Sequence, residues 1–330
     1  INWYPSKNGI LTPVAEVDAV ELSGAKVTNV TLHNYGIIKQ FNIKANDIIE
    51  IIRSGEVIPK FLSIVNSSPG EMQIPEKCPS CGEQLSIERI RLVCKNKKCP
   101  ERIKQGILDF IGKMGIYDIS EKRLIEMIKK GLVSEIPDLY KLSIDDLLSL
   151  DKTKEKLAKK LYSNIQVTKK TTLAKFLGGL GISGIGINKS EKIVYAGLDS
   201  LERIETATLD DLLKVEGLAE KSATDFLASF REKQPIIKKL LKLGFIIEKN
   251  DTKNLLGGKV FALTGELSIK RHEFEDLVRK NGGVVSNSVS KNTNFLISNE
   301  RESNSSKFEK AQKLAVPIIS EQDFYKMIGQ

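Results

Sequence analysis

The first part of the chain alternates apolar and polar positions with a period of two. Its short runs, rich in Val, Ile and Thr, are broken by Gly, Asn and Asp, which is typical of β-strands joined by turns. Several short strands at close spacing predict a small all-β barrel or sandwich over residues 1–70. The predicted strands read ILTPVAEV, AKVTNVTL, DIIEII and EVIPKFLSIV. The NSSPG stretch at 66–70 predicts a linker after them.

Between residues 102 and 250 the apolar spacing becomes helical, as in RLIEMIKKGL, TLAKFLGGL and ATDFLASF. This segment contains a loose repeat of short helix, tight turn and short helix, and it predicts an all-α domain. Gly131, Gly197 and Gly244 are expected to end helices. Beyond a polar linker at 251–256, strands and helices alternate over residues 254–330, which predicts a small parallel α/β domain.

The bulk composition adds a partner class. A length of 330 residues predicts two to four domains, and the net charge of +9 favours an anionic partner, with nucleic acid ahead of a membrane. The alternative is a solvated lysine-rich surface. No apolar run approaches the roughly 18 residues of a membrane span, so we expect no membrane partner. The chain begins with Ile1 rather than Met, so we expect either a removed segment or a part of a longer protein.

All four cysteines lie in one short window, at Cys78, Cys81, Cys94 and Cys99. Two close pairs of thiols separated by about a dozen residues have the spacing of a structural zinc site, in which thiolates bind Zn²⁺ tetrahedrally. We therefore predict a zinc finger over residues 71–101. The alternatives are two disulfides or four unrelated thiols. A closed four-sulfur site leaves no open position for a substrate, so the metal is expected to be structural.

The turn LGISGIGI at 180–187 carries the glycines Gly184 and Gly186. Glycine permits backbone angles closed to other residues, and such a turn aims the amides that start the next helix at a phosphate. Lys189 and Lys192 follow and are expected to reach the same backbone. The alternative is a connection that only packs helices together. A second turn keeps Gly217 but has Ala219 at the second glycine position. Two earlier turns, at 117–122 and 150–155, have no glycine and are predicted to be packing units.

The order of these motifs resembles the C-terminal half of a bacterial-type NAD⁺-dependent DNA ligase: an oligonucleotide-binding (OB) barrel, a zinc finger, a helix-hairpin-helix domain and a BRCT domain. The resemblance rests on the following stretches: GILTPVA, LSGAKVTNVTLHN and RSGEVIPK in the barrel, CPER after the zinc finger, and LTGEL, GGVVSNSVSKNTNFLI and SKFEKAQKLAVPIISE at the C-terminal end. With an N-terminus that looks truncated, the expected domains are 1–70, 71–101, 102–250 and 254–330.

The resemblance implies a role in nick sealing during DNA replication and repair, with nicked double-stranded DNA as the partner. In that family a lysine in a KxDG motif is adenylated from NAD⁺; the chain has no Asp-Gly pair. The resemblance therefore implies no catalytic residue in this chain. NAD⁺ and Mg²⁺ would bind outside it, in an upstream adenylation domain. It also implies a monomer in the bacterial cytoplasm, associated with the nucleoid.

The same resemblance implies DNA contacts in the barrel at Thr12, Arg53, Val57 and Ile58. Arg53 would bind a phosphate, since a guanidinium fork suits that geometry. Val57 and Ile58 would press on the minor groove, or alternatively pack in the barrel core. Lys7 stands near the position where the family usually has an arginine. His33 is expected to be structural.

In the BRCT domain the resemblance implies a phosphate pocket at Thr264, Gly265 and Lys307, with Arg271 as a fourth candidate. The alternative is that Ser305 or Ser306 caps a helix while Lys307 is solvated. Phe324 or Tyr325 would replace the core tryptophan of many BRCT domains. Two rival functions remain open at this point: a non-catalytic DNA-binding or BRCT scaffold from a split or decayed ligase gene, and a phosphopeptide adaptor.

Overall fold

The computed structural model of the chain describes residues 1–22, 24–54, 58–248, 254–300 and 305–329. These form two compact units, one of residues 1–112 and 116–164 and one of residues 113–115 and 165–330. Among the described residues, no helix is long and apolar enough to cross a membrane.

The strands of the first unit are β1 to β7 in chain order: Asn2–Pro5, Ile10–Leu22, Ala25–Thr31, Ile48–Ser54, Ile58–Asn66, Ser86–Glu88 and Arg91–Val93. They form one sheet in the order β4-β5-β3-β2-β7-β6, with β1 paired to β2. The four strands expected from the two-residue period are present as β2 to β5. Their inward positions, among them Leu11, Val30 and Phe61, build one apolar core.

A helix that the sequence reading did not anticipate, α1 (Tyr35–Phe41), interrupts the strands of the first unit. The Asn34 side chain caps its start by accepting from the Ile37 amide, and Asn42 ends it with φ 51°. The 66–70 stretch begins at Asn66, the last residue of β5, and hydrogen bonds anchor it at Ser68. Asp47 accepts a hydrogen bond from the Ser68 amide at 2.7 Å, and Lys44 donates to the Ser68 carbonyl at 2.5 Å.

The middle of the chain is helical, as the apolar spacing predicts. Its helices are α2 to α10 in chain order: Pro100–Met114, Glu121–Lys129, Ile144–Leu148, Glu155–Gln166, Leu173–Gly179, Ile187–Tyr195, Leu201–Thr206, Leu209–Leu213 and Glu220–Lys242. Gly131, Gly197 and Gly244 follow helix ends with positive φ, as expected. A short parallel strand pair, β8 (Lys170–Thr172) with β9 (Ile246–Glu248), joins the segment before α6 to the segment after α10.

The C-terminal region is a parallel α/β domain. Its elements are, in chain order, β10, α11, β11, β12, α12, β13 and α13: Val260–Leu263, Arg271–Lys280, Val284–Ser286, Phe295–Ile297, Ser306–Lys313, Ile318–Ile319 and Glu321–Met327. The sheet order is β11-β10-β12-β13. Phe274 of α11 and Phe324 of α13 pack on one face, and Phe308 of α12 packs on the other. Phe324, fully buried, therefore fills the core position expected for an aromatic residue.

Residues 251–253 of the expected linker lie outside the described residues. The remainder of that stretch forms a 3₁₀ turn, Asn254–Leu256. Leu256 is fully buried in the core of the C-terminal domain, so the folded part of this domain begins by residue 256. The predicted boundaries at 70, 101, 250 and 254 otherwise remain predictions.

Candidate metal centre and nucleic-acid interface

The four cysteines of the window converge on one point. Their sulfur atoms all lie within 4.8 Å of one another, with Cys78 and Cys99 3.9 Å apart and Cys81 and Cys94 3.6 Å apart. A tetrahedron of sulfurs each about 2.3 Å from a central ion has edges of about 3.8 Å. The four thiols therefore fit a single tetrahedral metal ion.

Local backbone structure holds the ligands in this arrangement. In the first knuckle the Gly82 amide donates to the Cys78 carbonyl at 2.8 Å, and the Cys78 amide donates to the Glu83 carbonyl at 2.8 Å. The second pair comes from two different elements. Cys94 follows strand β7, and Cys99 immediately precedes helix α2. One ion bound here therefore ties the edge of the sheet to the start of the helical region.

The cysteines form no disulfide. All four are free thiols, and their sulfur separations are far beyond the roughly 2.05 Å of a disulfide bond. The alternative of two disulfides is therefore wrong. Burial raises the pKa of the Cys94 thiol to about 12, so these four groups do not all ionise near neutral pH on their own account. A cation between them would supply the charge that favours four thiolates.

The metal cluster is joined directly to the β-sheet. Strand β7 pairs with β2, and the Cys94 amide donates to the Gly9 carbonyl at 2.8 Å. Gly9 has φ 79°, and a side chain there would overlap the Cys94 carbonyl oxygen. Glycine is thus required at the point where the sheet meets the cluster.

Arg102 of α2 completes this joint. Its guanidinium donates to the Cys94 carbonyl at 3.0 Å and to the Lys7 carbonyl at 3.3 Å. The Lys7 side chain forms an ion pair with Asp109 at 2.5 Å. Lys7, which stands near the position where the family usually has an arginine, therefore contacts α2. Arg102 and Asp109 lie about a hundred positions from Lys7, so sequence spacing gave no signal for either.

Three of the four barrel residues expected to contact DNA lie on strands of the sheet. Thr12 is half-buried on β2, opposite Tyr4 of β1. Arg53 lies near the end of β4 and Ile58 begins β5; the backbone register pairs Arg53 with Pro59. Val57 lies outside the described residues. His33, exposed after β3, has φ 62°, and its amide donates to the Thr31 hydroxyl at 3.2 Å; its structural role stays a prediction. The DNA contacts themselves remain predictions.

The glycine turns share one backbone geometry. Gly184 has φ 71° and lies three residues before the start of α7, and Gly217 has φ 81° and lies three residues before α10. The second glycine of the first turn behaves differently. Gly186 is the N-cap of α7, with an extended φ of −103°, and Ala219 is the N-cap of α10, with φ −82°. Only the first glycine of the pair needs backbone angles that other residues avoid, which corrects the sequence interpretation and explains the alanine at 219.

The two earlier turns adopt the same geometry without glycine. Asp118 has φ 67° and Lys152 has φ 53°, each three residues before the next helix, α3 or α5. Asp118 places a carboxylate in its turn, where it pairs with Lys160 at 2.9 Å and accepts from Asn164 at 2.8 Å. These partners lower the pKa of Asp118, the Lys160 hydrogen bond contributing most. A carboxylate that stays charged repels phosphate, in keeping with the predicted packing role.

Two lysines of α7, Lys189 and Lys192, lie beside the later two turns. No atom outside the immediate chain lies within 4 Å of an added Cβ at Gly184 or Gly186, so this turn is open. Lys189 lies half-buried in the first turn of α7. Lys192, on the next turn of the helix, reaches the second hairpin, where its ammonium lies 3.4 Å from Glu216 and 3.7 Å from a Cβ added at Gly217. The structure thus brings Lys192 and Gly217 together.

The candidate phosphate residues of the C-terminal domain also converge. Lys307 and Arg271 both donate to the Leu263 carbonyl, at 2.9 and 3.0 Å, and the Thr264 hydroxyl donates to Ser305 at 3.0 Å. The Arg271 guanidinium also donates to Gly265 at 3.3 Å. Burial, with the nearby Arg271 charge, lowers the pKa of Lys307. Ser305 does cap α12, but Lys307 is not the solvated side chain of that alternative.

Family models match three parts of the chain. The NAD-dependent DNA ligase OB-fold domain matches residues 1–72, a SAM-like helix-hairpin-helix tandem matches residues 176–232, and the BRCA1 C terminus (BRCT) domain matches residues 251–328. The helix-hairpin-helix match covers the two turns that contain Gly184 and Gly217. The expected order of OB, helix-hairpin-helix and BRCT domains is confirmed.

Curated relatives cover nearly the whole chain. A DNA ligase of Methylacidiphilum infernorum is 35% identical over 334 residues, which is 98% of this chain and 48% of the relative. A DNA ligase of Coprothermobacter proteolyticus is 34% identical over 98% of this chain and 49% of its own length. For a DNA ligase of Helicobacter pylori strain HPAG1 the values are 34%, 98% and 50%. The chain therefore spans about half the length of the curated relatives that it matches.

Proposed function

We infer that the chain belongs to the NAD-dependent DNA ligases, as the C-terminal region of such an enzyme, and that it grips nicked duplex DNA while chemistry takes place on another part of the protein. The observation that carries the DNA-binding part of this proposal is the open hairpin turn at Gly184. Lys189 and Lys192 lie beside this turn, and Lys192 reaches Gly217 of the second turn. Helix N-termini and lysines bind phosphates without reading bases, which suits an enzyme that must act on any sequence.

Within this proposal the four-cysteine cluster binds Zn²⁺ as a structural ion. Four thiolates in a closed tetrahedron match the ligand softness and the geometry that zinc prefers. When bound, the ion would hold the sheet and α2 together without taking part in the reaction. The chain's own contribution is the joint around Gly9, Arg102 and Lys7, which fixes the same two elements by hydrogen bonds and an ion pair.

The remaining partners follow from the half-length match. An adenylation domain would supply the lysine, the NAD⁺ site and the Mg²⁺ site, and Arg53, Val57 and Ile58 of the barrel would then approach the nick. The whole enzyme, with this chain as its C-terminal region, is proposed to act as a monomer at the bacterial nucleoid, in DNA replication and repair.

Salt-dependent binding to nicked DNA tests the proposal. Because phosphate contacts release counterions, affinity should fall by roughly 10³-fold or more between about 50 and 200 mM salt if six or more phosphates are contacted. The double substitution Lys189→Ala and Lys192→Ala should weaken binding and flatten the salt slope by roughly one per lost contact. The matched control removes the same charge from exposed lysines of α12, Lys310→Ala and Lys313→Ala. Affinity that does not respond to salt would contradict the DNA grip.

A second candidate function rests on the cation pair of the C-terminal domain. Arg271 and Lys307 converge on one carbonyl, and among the described residues neither forms an ion pair with a carboxylate. With the Thr264 hydroxyl beside them they offer a site for a phosphorylated partner. A phosphopeptide library should bind the full chain and lose affinity in Lys307→Ala; equal binding by both proteins would remove this candidate.

A further inference from the structure

One face of α7 is devoted to the C-terminal domain. Asn188, Glu191 and Tyr195 stand three and four residues apart, so they form a single stripe on that helix. Asn188 donates to the Val285 carbonyl of β11 at 2.7 Å. The Tyr195 hydroxyl donates to the Arg279 carbonyl of α11 at 3.4 Å. Asn188 thus contacts β11, and Glu191 and Tyr195 contact Arg279 of α11.

The centre of the stripe is a buried ion pair. The Glu191 side chain is 5% exposed, and its Oε1 lies 2.9 Å from Nε of Arg279. The two groups are close without being aligned as a hydrogen bond. Among the described residues, neither Arg279 Nε nor Glu191 Oε2 has a hydrogen-bond partner. A buried pair with unsatisfied atoms does not recover the full cost of removing its charges from water.

The charges around the pair weaken it further. On α11, Glu275 and Asp276 both lie 3.4 Å from the same guanidinium and compete with Glu191 for it. Burial, together with these two carboxylates, raises the pKa of Glu191 to about 7 despite the Arg279 charge. An open cleft of about 330 Å³ borders the contact, between Lys192 of α7 and Gly257 and Val284 of the C-terminal domain. The contact is therefore polar and incompletely packed.

We propose that the Asn188–Glu191–Tyr195 stripe is a latch that holds the C-terminal domain reversibly against the hairpin helix, and that its charged pair sets how readily the domain is released. Contacts between domains that are polar and small permit relative motion. Asn188 brings the latch to the first turn of α7, yet no atom outside the immediate chain lies within 4 Å of a Cβ added at Gly184 or Gly186, so the turn itself stays open. One helix thus combines a candidate phosphate-binding turn with a domain dock. The latch stands independently of the DNA-binding proposal, because it concerns only contacts within this chain.

Amide ¹⁵N relaxation of the full chain below neutral pH tests the latch. Docked, the C-terminal domain should share the rotational correlation time of the helices α6 to α10. Glu191→Lys faces Arg279 with a like charge and should release the domain, whose correlation time should then fall roughly twofold, since a freed domain tumbles with its own smaller volume. The charge-matched control is Glu216→Lys, at a carboxylate that is 84% exposed, and it should leave the domain docked.

Arg279→Glu is the second variant. It places a like charge opposite Glu191, and it provides the test if Glu191→Lys does not fold. Release in either folded variant, with docking kept in the wild type and in Glu216→Lys, supports the latch. Independent tumbling of the domain already in the wild type would overturn it. An unchanged correlation time in both folded latch variants would overturn it as well.

Discussion

Gly184 and Gly186, two residues apart in one turn, have different reasons to be glycine. Gly184 has φ 71°, whereas Gly186 is extended. A side chain at a left-handed position costs about 1–2 kcal/mol. We therefore expect Gly184→Ala to lower the free energy of unfolding by about that amount and Gly186→Ala to leave it nearly unchanged. Chemical denaturation of the two variants checks this, and equal destabilisation by both would contradict the backbone argument.

Residue type alone does not identify all four hairpin turns. The same left-handed turn is built on Asp118 and Lys152 as well as on the glycines. A search for glycine identifies two of the four turns, because aspartate and lysine are common at many other positions. The signal that extends to all four is positional. The turn residue lies three before a helix, and the residue after it is buried, as in Ile119, Thr153, Ile185 and Leu218.

Glu191 makes the latch pH-dependent. Its pKa in the docked state is raised to about 7, against an ordinary value of 4.5 for the group exposed to water. The docked state therefore binds a proton more tightly. Docking is strongest below the ordinary pKa and weakens as the pH rises through about 7. The charged groups that face Glu191 are Arg279, Glu275 and Asp276, and among these the carboxylates oppose its ionisation.

We expect the docked fraction in the wild type to fall between about pH 4.5 and 7 and to level off above that range, because a shift of a few pKa units corresponds to a change on the order of 10²-fold in the docking equilibrium. Relaxation measured across this range gives the fraction directly. Glu191→Gln, which cannot ionise, should stay docked and lose the pH dependence. A docked fraction that rises with pH in the wild type would reverse the sign and contradict the burial argument.

At the scale of elements, the joint among sheet, metal cluster and α2 depends on Arg102. Its guanidinium bonds two carbonyls, those of Lys7 and Cys94, which come from different segments. Charged hydrogen bonds of this kind contribute about 1.5–3 kcal/mol each at most. We expect Arg102→Ala to destabilise the chain by about 1–3 kcal/mol in denaturation, whereas Arg91→Ala, on the exposed face of β7, should change it by less than about 0.5 kcal/mol. Equal destabilisation by Arg102→Ala and Arg91→Ala would contradict a role for Arg102 in holding the sheet to α2.

The metal cluster is a second element with a direct test. Cys94 is fully buried at the end of β7, and its loss opens the tetrahedron. We expect the wild type to contain one zinc per chain by elemental analysis, and Cys94→Ser to contain much less and to unfold more readily, since the metal-binding energy is folding energy. Cys81→Ser, at the more exposed cysteine, should follow the same direction. Full zinc content in both variants would contradict a four-thiolate site.

Elements and their sites were not equally visible in the sequence. The strands β2 to β5 and the helices of the C-terminal domain follow from periodicity, since burial on one face imposes it. Helix α1 was missed because its signals are its caps, Asn34 and Asn42, inside a region that otherwise alternates. The latch was missed because Glu191, between two lysines, looks like part of a solvated helix face. Its burial comes from residues some ninety positions later, which no local pattern announces.

At the scale of the whole molecule, the decisive prediction concerns what the chain does for a separate catalytic part. Under the proposed function the adenylated lysine belongs to an adenylation domain outside this chain, which has no KxDG motif, and we therefore expect the chain alone not to seal nicks. Added to an adenylation domain with NAD⁺ and Mg²⁺, it should raise nick sealing if, as proposed, it binds duplex phosphates and so raises the local concentration of the nick. Lys189→Ala with Lys192→Ala should lower that stimulation, and Lys310→Ala with Lys313→Ala should preserve it. Gel-based ligation of a labelled nicked duplex measures each case.

If stimulation were absent while nicked-DNA binding was intact, the chain would act as a DNA-binding scaffold. If both double variants stimulated nick sealing as strongly as the wild type, the DNA contacts would lie on the barrel around Arg53 rather than on the hairpins.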